Sequence, residues 1–159
     1  MRRLFAYPLL TGIIFTFVTA GIGQTSKLDS LKRRSLHVTG TDLIDYFNTI
    51  SGSYYPINTD SAFFYAARAE ALSREMDYWQ GTSNALRHMG NILRERRRLA
   101  EAEQYFRQAL LVSDQHPTSD NWSMDNLSLG DILRLQGRYP VAIELINQSL
   151  RHFIAAGND

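Results

Sequence analysis

A period of 40 residues runs through the second half of the chain and returns the same residue classes: Gly90 recurs as Gly130, Leu93 as Leu133, Ala102 as Ala142 and Leu110 as Leu150, while Ala69 leads to Ala109 and then Ser149. A fixed period of this length marks stacked helical hairpins, each of which buries its apolar face only against its neighbours. The chain is therefore expected to be all-α, a solenoid of about 2.5 to 3 repeats of 40 residues, and to work as a binding scaffold, not as an enzyme.

The local signals agree with that architecture. From Thr41, the residues Leu43, Ile44, Phe47 and Ile50 return at helical spacing, Gly52 reads as a stop, and Tyr54, Tyr55 and Pro56 read as a turn. Asn58 or Thr59 can cap a second helix that places Ala62, Ala66 and Ala69 on one face. The next hairpin is predicted over about Tyr78 to Arg96 and Leu99 to Asp114, with Leu86, Met89, Gly90 and Leu93 facing Ala102, Phe106, Ala109 and Leu110. After the break at His116 and Pro117, Ser119 or Asp120 can cap a third hairpin; Gly137 ends its first helix and Pro140 opens its second. The expected segments are a degenerate first repeat over 41–76, a second over 77–116, a third over 117–156, and the start of a missing repeat or a tail over 157–159.

Part of the 44% apolar content lies in one N-terminal block. Arg2 and Arg3 precede an apolar run from Leu4 to Ala20, followed by Gly21, Ile22, Gly23 and Gln24, the layout of an export signal. Cleavage fits after Ala20 or after Gly23, the second being preferred, so residues 1–23 read as a signal peptide and 24–40 as a polar leader with a short helix from Leu28. The alternative is an uncleaved membrane anchor with Arg2 and Arg3 inside. The expected location is in either case the periplasmic or extracytoplasmic side of the inner membrane, with no further contact with the bilayer unless a helix follows the chain. Without Arg2 and Arg3, the 17 basic residues become 15 against 16 acidic ones, a net of −1 that makes no case for nucleic acid. With no cysteine, the domain must be held by packing alone.

Leu86, Met89-Gly90, Leu93, Leu99, Ala102, Phe106 and Ala109, followed by Leu129-Gly130, Leu133, Gly137, Tyr139, Ala142, Ile146 and Ser149, resemble two in-register tetratricopeptide repeats. The departures are Asn126 in the place of Leu86, Ser149 in the place of an alanine, and a period of 40 instead of 34. With the export signal, the whole resembles the exported N-terminal repeat region of bacterial sensor histidine kinases. That resemblance implies signal transduction, with a transmembrane helix and a cytoplasmic output domain beyond the array. The last residues, Ala155 to Asp159, fall where a further repeat would begin and supply no polar cap. A fragment, or self-association through the open C-terminal end, is expected.

By the family register the concave groove is lined by Asn84, Arg87, His88, Asn91 and Arg94 from one repeat, and by Met124, Leu127, Asp131, Arg134 and Leu135 from the next. The resemblance makes this the place for a protein or peptide ligand. Arg87 and Asn91, one turn apart, resemble half of a carboxylate clamp, and Met124 and Ser128 stand where the other half would need donors. His37, His88, His116 and His152 share no metal-type spacing, and no nucleophile motif or phosphate loop is evident; no cofactor, metal or catalytic residue is expected. Arg94, Arg96, Arg97 and Arg98 read as a solvated turn paired with Glu95, Glu101 and Glu103. Trp79, Trp122, Tyr54 and Tyr55 read either as a contact patch or as fillers of repeat junctions.

Overall fold

The computed structural model describes residues 28–35, 37–117 and 119–157. The expected export signal and its two cleavage points lie outside them. A short helix α1 over residues 28–35 is followed by α2 (Thr41–Tyr54), α3 (Thr59–Glu75), α4 (Trp79–Glu95), α5 (Leu99–Ser113), α6 (Asp120–Leu135) and α7 (Tyr139–Ala156). The helices pair as antiparallel hairpins α2–α3, α4–α5 and α6–α7, and α3, α5 and α7 begin 40 residues apart, at Thr59, Leu99 and Tyr139. The array is an all-α helical solenoid.

Helix starts and stops follow local chemistry. Asn58 Oδ1 accepts from the backbone N–H groups of Asp60 and Ser61, and Ser119 Oγ accepts from Trp122 N–H, so α3 and α6 are capped by side chains. The turns after α3, α4 and α6 share one closure: the N–H of Tyr78, Arg98 and Arg138 reaches back to the carbonyl of Ser73, Leu93 and Leu133. Each needs a left-handed residue, and Asp77, Arg97 and Gly137 take that role at φ 51°, 60° and 78°. Gly52, expected to stop the first helix, lies inside it instead: α2 runs on to Tyr54, held by Ser51, whose hydroxyl donates to Ala62 O of the paired helix at 2.8 Å. A helical glycine costs only about 1 kcal/mol, about what one such hydrogen bond returns.

Small residues set the helix spacing. A Cβ on Gly90 would lie 2.5 Å from the Phe106 ring, and one on Gly130 would lie 2.7 Å from Ile146, so the second and third hairpins each close on a glycine. Phe106 is fully buried and continues into a cluster with Leu93, Ala102, Leu129, Ile132, Leu133 and Ala142, which ties the second hairpin to the third. The other cluster joins Leu28 of α1 to Ile44, Phe47, Ile50, Ala69 and Ala85, so α1 covers the start of the stack.

Curvature follows from which helices approach. Among the described residues, α2 comes within 8 Å of α4 and α4 of α6, Cα to Cα, whereas α3 and α5, or α5 and α7, do not. The inner, concave side is therefore α2, α4 and α6. The outer helices meet only through long side chains such as Phe63 and Tyr105, edge to face at 6.2 Å.

Candidate functional site: the inner face of α4 and α6

Residues one turn apart on α4 and α6 line the inner face, and the register places all the expected groove residues there. On α4, Asn84, Arg87, His88, Asn91 and Arg94 are half-buried; on α6, Met124, Leu127, Arg134 and Leu135 are exposed and Asp131 is half-buried. The two helices differ in character. Asn84, Arg87 and Glu95 of α4 correspond, 40 residues on, to Met124, Leu127 and Leu135, so a polar strip runs beside an apolar one.

Both arginines of the polar strip are paired. Arg87 Nη1 donates to Asp125 Oδ1 at 2.9 Å and Nη2 to Asn84 Oδ1 at 2.5 Å, so the guanidinium is turned across the α4–α6 boundary. This speaks against the clamp reading of Arg87 and Asn91, because the Arg87 guanidinium already holds a carboxylate. Arg94 Nη1 donates to Asp131 Oδ2 at 2.9 Å, and Arg134 donates to the other Asp131 oxygen at 2.6 Å. The carbonyl of Asn91 accepts from the Tyr55 hydroxyl at 3.4 Å. A charged ligand finds no free cation on α4 at Arg87 or Arg94.

Behind the groove lies a polar centre that the sequence reading missed. Asp125 is fully buried, and its Oδ2 accepts from Ser83 Oγ at 2.7 Å and from Ser113 Oγ at 2.8 Å. Three helices meet on one carboxylate. Asn121 adds bonds to Ser83 Oγ and Asn84 Oδ1. Burial pushes the Asp125 carboxyl above the ordinary aspartate range, opposed by Arg87 and the two serine hydroxyls. The signal was present in the period: Asp125 stands where the preceding repeat has the core residue Ala85.

His88 faces the backbone of α2, with Cε1 3.4 Å from where a Cβ on Gly52 would stand. Burial, helped by the neighbouring Arg87, lowers its pKa from 6.5 to about 4. The unfolded chain therefore takes up this proton first as the pH falls. Stability from the neutral imidazole is complete above pH 6.5 and is lost down to about pH 4, a share of about 3 kcal/mol. Urea unfolding of the chain and of His88→Gln at pH 7 and pH 4.5 checks this: the variant should lack that part of the decline, over and above the opposite trend of Asp125.

The remaining expectations resolve into packing. Trp79 stacks on His116 at 4.0 Å, Tyr54 on Tyr65 at 5.7 Å, and Trp122 Nε1 donates to Asp114. Trp79 and Tyr54 make these contacts within their own repeats, and Trp122 makes its contact across to the end of α5. Arg96 bonds Thr59 and Asp60, and Arg98 pairs with Glu101, but Glu103 pairs with Arg107 and Arg138 instead of with the arginine run. His152 sits 3.2 Å from Asp120, and among the described residues no group of His, Asp and Glu could hold a metal ion. Among them, too, no helix is long and apolar enough to cross a membrane.

Depressions such as the one of about 270 Å³ between Ser73, Trp79, Thr82 and Val112 lie off the inner face. Residues 82–113, most of α4 and all of α5, match the tetratricopeptide repeat family. The array is tetratricopeptide-like. No curated protein matches the chain. A tetratricopeptide-like array supports a protein-interaction scaffold.

Proposed function

We propose that the chain binds an extended, largely apolar protein segment along the inner face of α4 and α6, without catalysis. One observation carries this reading: Met124, Leu127 and Leu135 are exposed on α6, beside an α4 strip whose arginines are already paired. An apolar segment gains from covering these side chains, whereas an acidic terminus gains little. We further propose that the module is exported and serves as the extracytoplasmic sensing part of a bacterial two-component protein. Support comes from Arg2, Arg3 and the apolar run Leu4 to Ala20; N-terminal sequencing of the mature chain should begin at Gln24, and recovery of the intact chain from the cytoplasm would oppose export.

The groove is tested with peptides selected from a phage-displayed random library on the full chain, their affinity read by fluorescence anisotropy. Leu127→Asp should weaken binding by about 10-fold or more, while Leu111→Asp on the outer face should leave it unchanged. Equal affinities in both variants would place the ligand elsewhere. A second reading, a stand-alone secreted scaffold assembling through its open ends, is favoured by the apolar side chains exposed on α7.

A further inference from the structure

The exposed face of α7 differs from the faces that receive a hairpin within the array. Each internal junction carries polar tethers at repeated positions. Between α3 and the next hairpin, Ser73 Oγ meets Thr82 Oγ1 at 2.7 Å and Arg96 donates to Thr59 Oγ1 at 2.8 Å. Between α5 and the next hairpin, Ser113 Oγ donates to Asp125, Gln136 Nε2 to Leu99 O, and Arg138 to Glu103 at 2.7 Å. Forty residues on, α7 has Phe153 in the place of Ser73 and Ser113, Ile143 in the place of Glu103, and Tyr139 in the place of Thr59 and Leu99. The side-chain tethers at the Ser73, Ser113 and Glu103 positions have been replaced by apolar groups.

Tyr139, Ile143, Leu150 and Ile154 are 59%, 58%, 52% and 55% exposed. Tyr139, Ile143, Ile146, Leu150 and Phe153 follow the alternating four–three spacing of a helix–helix seam, and with Ile154 beside its end the stretch is about 22 Å long at about 1.5 Å per residue. The four most exposed of these residues are mirror-related in sequence. About the midpoint between Ile146 and Asn147, Tyr139 reflects onto Ile154 and Ile143 onto Leu150. Glu144 and Arg151, the two charged residues of α7, lie on one flank of the seam, and neither has an ion-pair partner among the described residues.

We infer that α7 packs antiparallel against α7 of a second copy of this chain about a two-fold axis near Asn147. In an antiparallel pair the same flanks meet, so Glu144 of each copy faces Arg151 of the other, and a two-fold makes one patch complementary to itself. The inference deepens the second reading above by naming the partner, and it stands apart from the groove, which lies on α4 and α6.

Sedimentation velocity of the full chain tests it. The unsubstituted chain should be a dimer, and Ile143→Asp should give a monomer with unchanged helicity by circular dichroism, since Ile143 is exposed. Glu144→Arg should weaken the dimer by about 10-fold, and Glu144→Arg combined with Arg151→Glu should restore it. Because the chain has no cysteine, Asn147→Cys should also oxidise to a linked dimer, whereas Gln104→Cys should not. A monomeric chain at 100 μM, or a dimer indifferent to Ile143→Asp and to the charge exchange, would overturn the inference. The second of these results would place association on another face or on the apolar N-terminal run, and loss of peptide binding without loss of the dimer would bear on the groove alone.

Discussion

Asp125→Ala is expected to lower the unfolding free energy of the chain by about 3–5 kcal/mol. The substitution removes the acceptor shared by Ser83 and Ser113 and leaves Arg87, whose side chain is 16% exposed, without its partner at the α4–α6 boundary. The cost lies less in the bonds lost than in the polar groups left buried without partners. Asp125→Asn should cost less, since an amide can still accept from one serine, but it still strands the guanidinium. Urea denaturation followed by circular dichroism gives both values. If Asp125→Ala were neutral, the three-helix polar centre would not hold the second and third hairpins together.

Gly90→Ala is the second large effect, and its sign runs against helix propensity. In a solvated helix the change stabilises by about 1 kcal/mol. Here the new Cβ would stand 2.5 Å from the Phe106 ring, in a hairpin whose Phe106 is fully buried and hemmed in by Leu93, Leu129 and Leu133. Overpacking of this kind costs about 1–3 kcal/mol, and Phe106→Ala alone about 3–5 kcal/mol through the cavity it leaves. Since the two residues touch, they should couple. Gly90→Ala with Phe106→Leu should be more stable than the sum of the single changes by about 0.5–3 kcal/mol, measurable by thermal and chemical unfolding of the four proteins. Strict additivity would show that glycine and ring do not share one space.

Much of the fold was legible because its causes are local or periodic. Asn58 and Ser119 cap helices where a polar residue precedes an apolar face, and Gly90 and Gly130 mark the close approach in successive hairpins. Gly52 misled because a glycine stops a helix only where packing does not continue it, and the contact that continues α2, Ser51 to Ala62, lies in the paired helix. The register gives which residues share one face of α4 and of α6, but not their chemistry. Arg87 looked free because its acceptor lies 38 residues away in the next repeat. Asp125 was visible in principle as a charge replacing Ala85 in the period, yet the bonds that make a buried carboxylate tolerable appear only when α4, α5 and α6 are brought together.

The inner-face account is tested most directly by the methionine methyl groups. The chain has four methionines; Met124 is 38% exposed on the inner face, Met76 is 43% exposed at the turn after α3, and Met89 is in the core. Labelling their methyls with ¹³C and titrating with a library-selected peptide reads the binding surface without further mutation. Binding on α4 and α6 should shift the Met124 resonance in proportion to saturation and leave Met76 in place. A saturable shift of Met76 with Met124 unmoved would contradict it.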